Sequence, residues 1–380
     1  MSEPVADFGA LRPHLVDLSN GKLSPGGLVS TTPADVDRIF EEHLPRFISG
    51  RPGPAPVLFW AHGGLVDERT GLEAAASQVQ WWLANGVYPV YFVWETGLLQ
   101  VLSDRIRRGA QRYRLFPALS LMKAGGTGAA PPVPTLVPRA LPPLTEAADT
   151  FVEWVARHAG GPAVWADIKA NAARAGAKAG SLAGEGGARY VARRLAAFNR
   201  AHAGDVGLHA VGHSAGAIFQ SSFLRAAFEE GVGAFESLAL LDPALTVGDF
   251  KTGLLPLLGS RIRVLSQFSL GRQRALDDVC EVRGVRFYNK SLLYLIHRAL
   301  EEHPDTPLLG LEENVAADPD LAALFAGGTL AEAVWSPQLS GPDASRSDAR
   351  SHTGIDSDTL TMESLAHRVT GRGAVVPFPG

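Results

Sequence analysis

The sequence holds a single cysteine, Cys280, among 380 residues. No disulfide can form within the chain, and a cysteine-built metal site is not expected. Nothing around Cys280 supplies a sharp turn or a neighbouring base, so it is not expected to act as a nucleophile. Long apolar runs are missing too: no uninterrupted stretch reaches the ~18 residues that a membrane span needs. The opening Met1-Ser2-Glu3-Pro4 lacks a basic region followed by an apolar core. No signal peptide is therefore expected, and the cytoplasm is the simplest address. Surplus charge is small: Lys and Arg total 35, Asp and Glu 39, for a formal net charge of −4. Without a long basic block, nucleic acid is not an expected partner. Arg107-Arg108 and Arg193-Arg194 fall in helical-looking segments and read as solvated faces.

What is present is a globular composition, 46% hydrophobic and 19% charged, on a chain long enough for one large domain or two smaller ones. Residues 10–30 read as an extended lead-in with a turn at Asn20-Gly21. Thr32 reads as an N-cap with Pro33 at the first helical position, opening a helix to about residue 48. Residues 1–54 thus form an N-terminal extension and helix. Val57-Leu58-Phe59-Trp60-Ala61 is a continuous apolar run of the kind buried in parallel sheets. A helix over 71–84, a strand over 87–94 and another helix to about 113 follow. Residues 115–205 interrupt this rhythm. Residues 125–143 are rich in Gly, Ala and Pro and read as a loop. Ala-rich helical stretches near 145–158, 162–178 and 187–202 read as an inserted cap, the alternative being ordinary helices that cover a sheet. The rhythm resumes with strands at 206–211, 237–241 and 261–268, helices at 215–229 and 291–302, a weak strand near 331–336, a polar loop and a helix over 358–369. No internal repeat is evident. The alternation predicts an α/β fold: a doubly wound, mostly parallel sheet with its core in 55–114 and 206–380 and a helical insertion before the strand at 206.

The chemistry concentrates at Gly212-His213-Ser214-Ala215-Gly216, between the strand at 206 and the helix after it. Two glycines let the chain turn sharply, so that the serine stands in a strained conformation above the sheet, over the positive end of a helix. In a chain with 41 glycines the pattern alone is cheap, and it is the strand before it and the helix after it that give it meaning. A serine hydroxyl is a weak nucleophile at neutral pH. It needs a base, an orienting group for that base, and donors aimed at the oxyanion that forms.

Trp60-Ala61-His62-Gly63-Gly64-Leu65 ends the first buried strand in a turn whose Gly63-Gly64 backbone is free of side chains, so that an N–H can point into the site. With the serine elbow, this turn resembles the His-Gly-Gly segment of lipases and esterases in the α/β-hydrolase superfamily. Leu241-Asp242-Pro243-Ala244 likewise resembles the acid segment of pancreatic-type lipases. The resemblance spans roughly residues 55–370, although its motifs cover few positions. It implies an α/β-hydrolase fold and acyl transfer to Ser214, with oxyanion donors at Ala215 and at Gly64 or Leu65, and with neither metal nor organic cofactor. It also implies the chain order serine, acid, histidine. Asp242 ends the strand after the nucleophile and is the favoured acid. Asp278, about ten residues past the following strand, is the alternative. Of the histidines beyond Asp242, His297 and His367 lie within helical periods and His303 at a helix end. His352 lies in a polar loop between the last strand and the last helix, and is the expected base. His62, His213 and Glu95, near the same strand ends, are expected to shape the pocket or bind substrate. The apolar residues 115–122 suit an ester with a hydrophobic part, hence a carboxylesterase or lipase. An amidase or peptidase would use the same triad, and a non-catalytic binding protein is the reading from another class. Oligomeric state is not legible here.

Overall fold

The computed structural model describes residues 8–63, 68–94, 104, 108, 144–282 and 284–379. Strands β3 (Ala55–Ala61) and β4 (Tyr88–Trp94) are seven-residue runs buried almost throughout, as strands covered on both faces are. They join β1 (Leu15–Ser19), β2 (Lys22–Leu23), β5 (Val206–His213), β6 (Phe235–Leu241), β7 (Ile262–Leu270) and β10 (Ala331–Ser336). Together these form one eight-stranded sheet in the order β10-β7-β6-β5-β3-β4-β1-β2. The pairings are parallel except that of β2 with β1. A separate antiparallel hairpin is formed by β8 (Cys280–Val282) and β9 (Val285–Tyr288).

The side-chain alternation of β3 fixes which helix covers which face. On one face Phe59 meets Phe223, their ring centroids 5.1 Å apart, and Phe92 meets Phe219 at 4.9 Å. Phe219 and Phe223 are one helical turn apart on Gly216–Glu229, so this helix docks on the sheet through a pair of rings. On the other face Trp60 lies 6.4 Å from Trp82 and 5.8 Å from Tyr91, and Trp82 belongs to the helix Glu68–Ala84. The protein is therefore α/β, with helices on both faces of a mostly parallel sheet.

One expectation sharpens and one changes. The extended segment within residues 10–30 joins the sheet: β1 pairs in parallel with β4, Leu15 beside Tyr91, and with β2 across Asn20-Gly21, and Leu15, Val16 and Leu18 are buried. Asp17, buried in the middle of β1, breaks the apolar run by which a strand covered on both faces is recognised. The helices expected at 145–202 are found at Leu144–His158, Gly161–Ala175 and Gly187–Ala201, but the last two do not form a free-standing cap. They pack along Gly216–Glu229, as sheet-covering helices do. The chains approach so closely that a Cβ on Gly176 would lie 2.6 Å from the Ser222 hydroxyl. Buried Arg189 ties this layer together, donating to the Gly176 carbonyl at 2.9 Å, to Glu229 at 2.6 Å and to Glu230 at 3.0 Å. Among the described residues, no helix is long and apolar enough to cross a membrane.

Candidate active site

The register of the parallel strands brings the candidate residues together. His213 lies opposite Leu241, and Leu241 opposite Phe268, so β5, β6 and β7 reach the same level. The next residues, Ser214 and Asp242, therefore leave the sheet side by side, at the carboxyl ends where open parallel sheets hold ligands. Both have left-handed backbones, with φ of +53° and +42°. Main-chain hydrogen bonds hold them there: the Ser214 N–H donates to the Leu241 carbonyl at 2.8 Å and the Asp242 N–H to the Phe268 carbonyl at 2.7 Å. Non-glycine residues at such angles carry strain that surrounding contacts must hold in place.

The glycines of the turn are required by close approach. A Cβ on Gly216 would stand 2.1 Å from the Ala61 carbonyl oxygen, and one on Gly212 would stand 2.7 Å from the Gly216 carbonyl oxygen. A Cβ on Gly63 would lie 3.0 Å from the Ser214 Cβ, so the His62-Gly63 backbone runs directly against the serine. The Ala215 N–H sits at the start of the helix Gly216–Glu229 and, among the described residues, donates to no acceptor. It is thus free to meet an anion. Gly64, Leu65 and Glu95 lie outside the described residues.

Ser214, His352 and Asp242 form one hydrogen-bonded chain. His352 Nε2 lies 2.8 Å from Ser214 Oγ, and His352 Nδ1 lies 2.9 Å from Asp242 Oδ2. Asp242 Oδ1 accepts the Leu270 N–H at 3.1 Å. The tautomer that satisfies every partner carries its proton on Nδ1 and leaves Nε2 to accept from the serine. Asp278, the alternative acid, does not touch the imidazole. Its Oδ2 accepts the His352 backbone N–H at 2.9 Å and its Oδ1 the Val279 N–H at 2.8 Å. Burial raises the Asp278 carboxyl above the usual carboxylate range against these two donors.

His352 sits in a short 3-10 turn, His352–Gly354, inside the polar loop that the sequence marks. The loop is held from outside by Arg274, whose guanidinium donates to the Ser336 hydroxyl at 2.9 Å, the Ala349 carbonyl at 2.7 Å and Asp348 at 2.6 Å. Arg274 carries no local signal that could have announced this, because its partners lie more than sixty residues away. The other late histidines are elsewhere: the His297 ring bonds the Thr306 carbonyl and the His367 ring the Arg372 carbonyl.

His62 and His213 lie beside the serine. Both ring nitrogens of each are engaged by the protein, which leaves neither for a substrate. His62 Nδ1 donates to the Gly63 carbonyl at 2.7 Å, and Nε2 accepts the Trp94 N–H at 3.2 Å. Burial lowers His62 to about 4, so it stays neutral and pins the turn that faces Ser214. His213 Nδ1 lies 3.1 Å from Asp356 Oδ2, and its Nε2 lies 2.9 Å from the His352 carbonyl oxygen. Asp356 was not singled out in the sequence. Cys280 is buried, donates to the Lys290 carbonyl and has its thiol pushed well up by burial, far from the low range of reactive thiols. Among the described residues, no group of three or more His, Cys, Asp or Glu side chains could hold a metal ion. Searches against protein-family models, curated proteins and solved structures find no match to this chain.

Proposed function

We propose that the protein is a serine hydrolase that forms an acyl-enzyme at Ser214, most plainly a carboxylesterase or lipase acting on an ester with an apolar part. The observation that carries the reading is the unbroken chain Ser214 Oγ, His352 Nε2, His352 Nδ1, Asp242 Oδ2, with separations of 2.8 and 2.9 Å. A nucleophile and an orienting acid at the ends of adjacent parallel strands, bridged by a base within hydrogen-bond reach of both, supply what acyl transfer requires. The resemblance of the elbow and the His-Gly-Gly turn to α/β-hydrolases supports the same reading.

In the first half-reaction His352 Nε2 takes the Ser214 proton as Oγ bonds to the ester carbonyl carbon. The carbonyl π electrons move to oxygen, and the Ala215 N–H is placed to donate to that oxyanion, aided by the positive end of the helix Gly216–Glu229. When the electrons return, the bond to the alcohol oxygen breaks and His352 hands its proton to the leaving alcohol. Water then repeats the sequence: His352 takes a proton from it, hydroxide oxygen adds to the acyl carbon, and Ser214 leaves with the proton. Asp242 faces the charge that His352 gains in each half.

The test is labelling with a fluorophosphonate, which phosphonylates an activated serine whatever the natural substrate. An adduct on Ser214, absent from Ser214→Ala, is expected. A folded wild-type protein that stays unlabelled would remove the proposal. Turnover of p-nitrophenyl esters but not of matched amides is expected, and the reverse preference would transfer the reading to an amidase.

A further inference from the structure

We infer that His213 and Asp356 form a positioning pair that grips the peptide carbonyl of His352, and that loss of the proton they share sets an alkaline limit on acyl transfer. The inference rests on the reading of Ser214 as the nucleophile. It begins from a count of protons. His213 Nε2 faces the His352 carbonyl and Nδ1 faces the Asp356 carboxylate, both of them acceptors. A neutral imidazole has one N–H, so an ionised Asp356 and a neutral His213 satisfy only one of the two contacts. The arrangement needs one proton more, held as an imidazolium. His213 is buried, where an unmade hydrogen bond is costly.

What is gripped explains why this matters. The turn His352–Gly354 is held internally at its Gly354 end, whose N–H donates to the Ser351 carbonyl and hydroxyl at 3.2 Å and whose carbonyl accepts the Ser357 N–H at 3.1 Å. The His352 peptide is fastened instead from two sides, its N–H by Asp278 at 2.9 Å and its carbonyl by His213 at 2.9 Å. His213 precedes the nucleophile in sequence, so the pair links serine and base through a path separate from their own hydrogen bond.

The groups facing His213 come from several elements. Asp356 lies before the last helix, Asp242 follows β6, His62 follows β3, and the His352 ring lies 5.3 Å away, centroid to centroid. Burial pushes His213 down, but Asp356 first, then Asp242 and the His352 carbonyl, outweigh it and raise His213 above the ordinary 6.5. A histidine raised in this way keeps its extra proton below 6.5 and loses it as pH climbs through the higher folded value. The grip therefore holds below 6.5 and fails as pH climbs through the raised value, on the alkaline side of an ordinary histidine. Asp278, raised by burial, bears only on the acid side.

The test is the rate of fluorophosphonate labelling of Ser214 from about pH 5 to about pH 10. In the wild type the rate is expected to fall on the alkaline side of the ordinary histidine range. Asp356→Asn places an amide N–H against Nδ1, so a neutral His213 can keep its Nε2–H on the His352 carbonyl, and the alkaline fall is expected to vanish. His213→Leu removes the grip at every pH, with a loss of ~100-fold, the scale of a roughly 1 Å misplacement of a reacting group, and no alkaline fall. A wild-type rate that stays level at high pH, or a fall unchanged in Asp356→Asn, overturns the inference while leaving the nucleophile intact. Absence of labelling at any pH strikes the nucleophile reading instead. The pair is then tested without activity: histidine nitrogen NMR of Ser214→Ala should find His213 doubly protonated below pH 6.5, and a neutral ring there overturns the inference.

Discussion

Replacing Asp242 by Asn is the sharpest test of how the site is wired. The carboxylate meets two donors, His352 Nδ1–H at 2.9 Å and the Leu270 N–H at 3.1 Å. An amide has one acceptor oxygen, so one donor must lose. If the oxygen stays on His352, the amide NH2 is pressed against the buried Leu270 N–H, at a cost of about 1–3 kcal/mol. If the oxygen turns to Leu270, the NH2 faces Nδ1 and drives the imidazole proton to Nε2. That nitrogen lies 2.8 Å from Ser214 Oγ and can then no longer take the serine proton. The second arrangement leaves no donor facing a donor and should prevail. A wrong tautomer of this kind lowers acylation by ~10,000-fold, about 5 kcal/mol of barrier. Pre-steady-state acylation by a p-nitrophenyl ester, with circular dichroism as the check on folding, reads this directly. Asp278→Asn disturbs only main-chain contacts of His352 and Val279 and should cost far less. A loss below about tenfold for Asp242→Asn, or a larger one for Asp278→Asn, would refute the wiring.

Two further outcomes follow from the same geometry. Gly216→Ala would put a methyl 2.1 Å from one backbone oxygen and 2.8 Å from another; since neither can yield without moving β3, a loss of about 3 kcal/mol is expected, seen as a lower urea midpoint. His62 and His209 are both lowered from 6.5 to about 4 by burial. The unfolded chain takes up protons below 6.5 that the folded one refuses, so each histidine lowers stability by about 1.36 kcal/mol per pH unit as pH falls toward 4. His209→Gln should flatten the pH dependence of the urea midpoint in that window, and an unchanged slope would count against the burial argument.

Much of this protein can be read along the chain. The burial of β3 and β4, the helix Gly216–Glu229 and the turn at Ser214 are local properties, written in apolar runs, a 3.6-residue period and glycines that flank a serine. The Thr32 cap is equally local: its hydroxyl accepts the Asp35 N–H while Asp35 accepts the Thr32 N–H at 2.8 Å. The order of serine, acid and histidine that the α/β-hydrolase resemblance implies narrowed the partners to His352 and two aspartates. The short β1 and the covering role of the helices Gly161–Ala175 and Gly187–Ala201 were not legible in this way, since each depends on what a segment packs against.

The sequence by itself determined the α/β alternation and the turn at Ser214, because these depend on residues within a turn or two of one another; the candidates for the serine's partners came from the chain order that the resemblance implies. Only the tertiary structure decided which carboxylate meets the imidazole. Asp242 and Asp278 are alike as residues; the parallel register of β5, β6 and β7 carries Asp242 to the His352 ring and leaves Asp278 on its backbone. The same assembly set Asp356 against His213, 143 residues apart. Hydrogen bonds over such separations are fixed by how strands align and helices pack, and a linear pattern carries no record of that.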